Sequence, residues 1–152
     1  MSKIRLLVIE EHAAVRQALE IRLRTSKRVE LLGACGDLLD GRRLVRLLRP
    51  DVVLLGCAGS HQTQLFRLVE AVSEMTNLGT LVLVLTSYAD DVERELLLQA
   101  GATRYLLKDI NTPQLINEVD QCVQRQRGSF ARHAAEFSLP ASPMLGTTPC
   151  LD

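Results

Sequence analysis

Tryptophan is absent from this 152-residue chain, and the aromatic complement is two tyrosines and three phenylalanines. A platform that stacks single-stranded nucleic-acid bases needs exposed rings, so that class is excluded. An excess of either charge is also missing: 18 Lys and Arg face 18 Asp and Glu, a formal net charge of zero. This excludes a nucleic-acid coat and a polybasic membrane binder. No apolar run reaches the ~20 residues that span a bilayer. Met1-Ser2-Lys3-Ile4 leads straight into a strand-like segment, without the zones of a signal peptide. Cys35, Cys57, Cys122 and Cys150 are scattered, with no CxxC pair and no histidine at metal-ligand spacing. A disulfide framework or zinc site is therefore not expected, and a cytoplasmic protein with reduced thiols is. Gly33, Gly36 and Gly41 do not make a GxGxxG, and no Gly-rich loop follows the first apolar run, which disfavours a flavin or nucleotide site.

What is present is aliphatic and periodic. Hydrophobic residues make up 47% of the chain, ample for a core of Leu, Val, Ile and Ala. Strand-like runs at Ile4–Ile9, Val29–Cys35, Asp51–Leu55, Leu81–Leu85 and Arg104–Leu107 alternate with helical patterns. The first helix carries Val15, Ala18, Leu19 and Leu23 on one face. The second, Leu38–Arg49, carries Leu44, Leu47 and Leu48 and is stopped by Pro50. A polar loop, Ala58 to Thr63, precedes a third helix with the stripe Leu65, Leu68, Val69, Val72 and Met75. Asp90 or Asp91 caps a fourth, containing Val92 and Leu96 and ended by Gly101. The fifth opens near Thr112-Pro113, buries Leu115, Val119, Cys122 and Val123, and frays before Gly128. Five strand–helix units with apolar strands predict an α/β fold: a doubly wound, flavodoxin-like parallel sheet of order 2-1-3-4-5. Ligands of such sheets sit at the carboxyl ends of the strands, which directs attention to Glu10, Glu11, Gly56, Cys57, Thr86, Ser87 and Lys108.

Two readings are open for those residues. Glu10 and Glu11 can offer oxygen ligands to a divalent ion such as Mg²⁺, or simply favour a helix N-terminus. Lys108 can form a structural ion pair with Glu10 or Glu11, or read a phosphoryl group together with the Thr86 hydroxyl.

The succession of Val8-Ile9-Glu10-Glu11-His12, Pro50-Asp51-Val52-Val53-Leu54-Leu55, Leu85-Thr86-Ser87 and Gly101-Ala102-Thr103-Arg104-Tyr105-Leu106-Leu107-Lys108 resembles a response regulator receiver domain. The similarity runs from Met1 to about Gln126 and is nearest to receivers that precede a LuxR-type helix-turn-helix. It implies that Glu10 and Glu11 match an acidic pair that binds Mg²⁺. Thr86 and Lys108 match the phosphate-sensing hydroxyl and lysine, and Tyr105 matches an aromatic switch. The acceptor aspartate expected at the end of the third strand is Gly56. Glycine has no nucleophile, and its loss also removes a metal ligand. The resemblance is thus to a pseudo-receiver at residues 1–127, with no cofactor expected beyond weak Mg²⁺ binding.

Residues 128–152 are rich in Pro, Ser and Thr, and read as a linker toward a DNA-binding domain absent from this chain, itself then a fragment. The leading expectation is a phosphorylation-independent regulatory module of a transcription regulator. It would dimerise with itself, or bind a protein partner or a small ligand in the cleft beside Gly56. The fourth helix, fifth strand and fifth helix offer a protein face, with Arg94, Arg104 and Asp120 as ion-pairing residues. The alternative is a working phosphoreceiver with a displaced acceptor, such as Ser60 or His61. Cys57 as a reactive thiol, His12 as a functional histidine and a stand-alone enzyme rank below both, and DNA contact by this chain itself is not expected.

Overall fold

The computed structural model describes residues 2–57 and 62–147, with side chains over 2–57 and 64–129. Ser60, His61 and Cys150 lie outside the described residues. The elements are β1 (Ile4–Ile9), α1 (Ala13–Arg24), β2 (Val29–Cys35), α2 (Leu38–Leu48), β3 (Val52–Cys57), α3 (Gln62–Asn77), β4 (Leu81–Thr86), α4 (Asp91–Ala100), β5 (Arg104–Leu107) and α5 (Thr112–Thr147). All strand pairs are parallel and the order is β2-β1-β3-β4-β5, as the sequence pattern predicts.

Successive strand residues point to opposite faces, so each central strand feeds two cores. Leu6 and Val8, Val52 and Leu54, and Leu83 and Leu85 pack with α1 and α5, against Leu19, Leu23, Leu115, Val119 and Val123. Leu7 and Ile9, Val53 and Leu55, and Val82 and Val84 pack with α2, α3 and α4, against Val45, Val72, Met75 and Leu97. The edges differ from expectation: most of β2 and β5 is only partly buried, because each edge strand has one neighbour. The β1–β2 register slips between Leu6 and Leu7.

Helix ends follow local chemistry. The Asp37 and Asp90 carboxylates accept N–H groups of Asp40 and Glu93 at the starts of α2 and α4. Arg49, before Pro50, adopts the left-handed conformation that closes α2. Arg5 of β1 donates to the Leu48 and Arg49 carbonyls there, both at 2.8 Å. Gly101, at φ 120°, ends α4.

Three sequence-based expectations are corrected. Leu47 is 77% exposed and Ala18 is exposed, whereas Val45 is fully buried; one residue of drift turns the apolar face of α2 by about 100°. Helix α5 does not fray before Gly128 but continues to Thr147. A single glycine costs a helix only about 1 kcal/mol, and the flanking Arg125-Gln126-Arg127 favour helix. Strand β3 runs two residues past Leu55, so Gly56 is a strand residue opposite Leu85.

Leu97→Ala should destabilise the domain by about 2–5 kcal/mol in urea unfolding, whereas Leu47→Ala should change stability by less than about 0.5 kcal/mol.

Candidate functional site

Side-chain alternation decides which residues meet at the carboxyl edge of the sheet. Glu10 and Lys108 each extend a strand by one ladder bond: the Glu10 N–H donates to the Cys35 carbonyl, and the Lys108 N–H to the Thr86 carbonyl. Counting by twos, Glu10 follows Leu6 and Val8, Gly56 follows Val52 and Leu54, and Lys108 follows Leu106, on the α1/α5 face. Thr86 follows Val82 and Val84 on the other face, which Tyr105 shares. The candidate residues thus separate into two groups.

The first group is Glu10, Lys108 and Gly56. Lys108 Nζ lies 2.6 Å from Glu10 Oε1, and the side chains are 11% and 1% exposed. The lysine therefore pairs with Glu10 and not with Glu11, which is exposed. Glu10 Oε2 accepts the His12 N–H at 3.1 Å, at the start of α1, where the His12 side chain makes no capping bond. Arg16 Nη1 donates to the Glu10 carbonyl at 2.9 Å and steadies the same turn. The Lys108 contact has the distance of an ion pair but not hydrogen-bond geometry, so Oε1 is buried with no hydrogen bond. The ammonium is what offsets its desolvation.

Gly56 leaves the room this pair needs. A Cβ built on Gly56 would stand 2.6 Å from Glu10 Cδ and 2.8 Å from Oε2, with Oε1 closer still. The same arrangement bears on Mg²⁺, which the resemblance implies. A hard cation needs several oxygen ligands. Glu10 is engaged by Lys108 and the His12 N–H, and Gly56 supplies no side-chain oxygen. Among the described residues no group of three His, Cys, Asp or Glu is arranged to hold a metal. The donor set does not fit the ion.

The second group is Thr86, Tyr105 and Glu93. Thr86 Oγ1 donates to the Tyr88 carbonyl at 3.0 Å or to Glu93 Oε1 at 3.2 Å. The Tyr105 hydroxyl donates to the same Glu93 oxygen and accepts the Asp90 N–H at 3.2 Å. Glu93 is 2% exposed. It is the residue that sequence reasoning missed. Its only sequence signal is the capping-box spacing Asp90-x-x-Glu93, which reads as a solvated helix start. Here Tyr105 takes the N-cap amide, and the Glu93 carboxylate turns inward to two hydroxyls. Burial, reinforced by the Glu93 carboxylate, pushes the Tyr105 phenol up to about 12.

The remaining candidates scatter. Cys57 is 1% exposed in the α2–α4 core, a packing position rather than an accessible thiol. Burial also pushes the Cys35 and Cys122 thiols up. Arg94 is exposed, and Arg104 pairs with Glu118 at 3.4 Å. Asp120 does not join that face: it pairs with Arg28, beside the start of β2, at 2.8 Å. Beside Gly56 lies a cleft of about 250 Å³ bordered by Glu11, Asp37, Gln64, Arg67 and Leu68. Among the described residues no helix is long and apolar enough to cross a membrane.

Two outcomes follow from this geometry. Lys108→Met leaves a buried carboxylate uncompensated and should cost about 3–5 kcal/mol in denaturant unfolding. In a Tyr88→Phe background, ultraviolet titration should find Tyr105 ionising near 12. Since the folded state then holds the phenolic proton longer than the unfolded chain, its contribution to stability is complete below about pH 10 and is lost as the pH rises toward 12.

Residues 6–120 match the family model of the response regulator receiver domain. Transcriptional regulatory protein LiaR of Bacillus subtilis is 28% identical over 147 residues, covering 90% of this chain and 69% of its own. The uncharacterized transcriptional regulatory protein YhcZ of the same organism is 27% identical over 113 residues, and the chain spans about half (52%) of its length. Among solved structures, the receiver domain of the response regulator NarL from Mycobacterium tuberculosis superposes with a TM-score of 0.70 at 23% identity, over 82% of this chain and 98% of that one. A LuxR-family DNA-binding response regulator from Staphylococcus aureus gives 0.69 at 20% identity, over 79% and 98%.

Proposed function

We propose, from the premise that this chain belongs to the response regulator receiver family, that it works as a receiver controlled by contact and not by phosphorylation. One observation carries this reading: the strand position from which an acceptor would reach Lys108 is Gly56, and Lys108 is already neutralised by Glu10. Phosphoryl transfer to a receiver needs a nucleophile and a cation at one point. Among the described residues no nucleophile stands at position 56, and Lys108 is engaged by Glu10.

The module is then a non-catalytic, cytoplasmic part of a two-component-type transcription regulator. DNA is reached through an attached LuxR-type domain and not through residues of this chain. The similarity to LiaR, a transcriptional regulatory protein, supports that assignment. The module's own work is to dimerise or to bind a partner. Tyr88, Val92, Leu96 and Leu107 are large apolar residues left exposed on the β4–α4 turn, α4 and β5, next to the Thr86–Glu93–Tyr105 cluster. A partner that favours one arrangement of α4 shifts the module only through unequal affinity for its states. The cleft beside Gly56 is a second point at which a small ligand can act in the same way.

Mass spectrometry of the chain after incubation with acetyl phosphate and Mg²⁺ tests the reading. No phosphoryl adduct is expected. Gain of one phosphoryl group would overturn it and point to a displaced acceptor such as Ser60 or His61.

A further inference from the structure

We infer that Glu10 is an internal substitute for the acidic side chain missing at position 56, and that the two positions are coupled: the longer acid at 10 fits only while 56 is glycine. This rests on the reading of Gly56 as a position without an acceptor, and adds what occupies the vacated space.

The geometry requires two long side chains and a gap between them. Strands β1 and β5 are separated by β3 and β4, three spacings of ~4.8 Å, or roughly 14 Å. Glu10 and Lys108 close that distance and meet at 2.6 Å. An aspartate at position 10 would be shorter by one carbon–carbon bond, roughly 1.5 Å, and would not hold the contact. The extra methylene brings the carboxylate over Gly56, where a Cβ would lie 2.6 Å from Glu10 Cδ. A carboxylate at the end of a solvated chain could swing aside. This one is 1% exposed, with Oε2 on the His12 N–H and Oε1 on Lys108. Any side chain at 56 must therefore break the ion pair or distort β3.

One consequence is specific to this chain. Restoring an aspartate at 56 alone does not restore a metal site, because Glu10 stays in the way and on Lys108. Shortening Glu10 to aspartate at the same time frees the space. The two introduced aspartates then join Glu11 as oxygen donors.

A four-member cycle of thermal melts with wild type, Gly56→Ala, Glu10→Asp and Glu10→Asp/Gly56→Ala tests the coupling. Gly56→Ala should lower the melting temperature by about 3–6 °C beside Glu10, and by less than about 1 °C in the Glu10→Asp background. Calorimetry with Mg²⁺ alone then compares Gly56→Asp with Glu10→Asp/Gly56→Asp. The double variant should bind at least about ten-fold more tightly. Equal melting shifts in the two backgrounds, or equal Mg²⁺ affinity in the two aspartate variants, would overturn the inference. Should Gly56→Asp fail to fold while the double variant folds, the coupling is supported. If neither folds, the alanine cycle decides. A phosphoryl adduct on the wild-type chain would sink the functional reading and leave this cycle intact; an uncoupled cycle would sink only the inference.

Discussion

The arrangement at the carboxyl edge depends on a buried ion pair that joins two strands which are not neighbours. Glu10 leaves the end of β1, Lys108 leaves the end of β5, and they meet above Gly56 with almost no access to water. In such surroundings neither charge is tolerable alone, so each fixes the other. The His12 N–H and the Arg16 guanidinium hold the Glu10 turn from the α1 side. The space over Gly56 is thereby filled by the Glu10 carboxylate, held on the protein's own lysine.

The second constraint lies on the other face of the sheet. Glu93 collects the Thr86 and Tyr105 hydroxyls, and Tyr105 also takes the amide at the start of α4. These residues match the hydroxyl and aromatic switch that receiver resemblance assigns to phosphate sensing. In this chain they are bonded to a carboxylate on α4 instead of facing Lys108. The position of α4 is thus tied to β4 and β5 by groups within the chain, and its exposed Val92 and Leu96 are held with it.

The fold was legible because strand alternation and helix spacing are strong local signals. Sheet order, a cap at Asp90 or Asp91, the Gly101 stop and the α5 stripe of Leu115, Val119, Cys122 and Val123 can all be read from residue order, and the structure puts the cap at Asp90. The α2 face was less legible: Leu44, Val45, Leu47 and Leu48 are all apolar, and only packing decides that Val45 goes inward. At the site, glycine at 56 and the acids at 10 and 11 were plain in the sequence. Which acid meets Lys108 was not, since that depends on reach across two intervening strands. Glu93 was hidden for a related reason, because its position beneath Tyr105 is a tertiary contact in a segment whose local pattern describes an ordinary helix cap.

In the proposed reading, intramolecular contacts stand in for a phosphoryl group and its metal. Amide NMR spectra recorded with and without Mg²⁺ and beryllofluoride, an inert phosphoryl mimic that needs an aspartate to attach, test this claim most directly. The account predicts that the signals of Gly56, Thr86, Tyr105 and Lys108 stay where they are. Saturable displacement of those signals, spreading into α4, would contradict it.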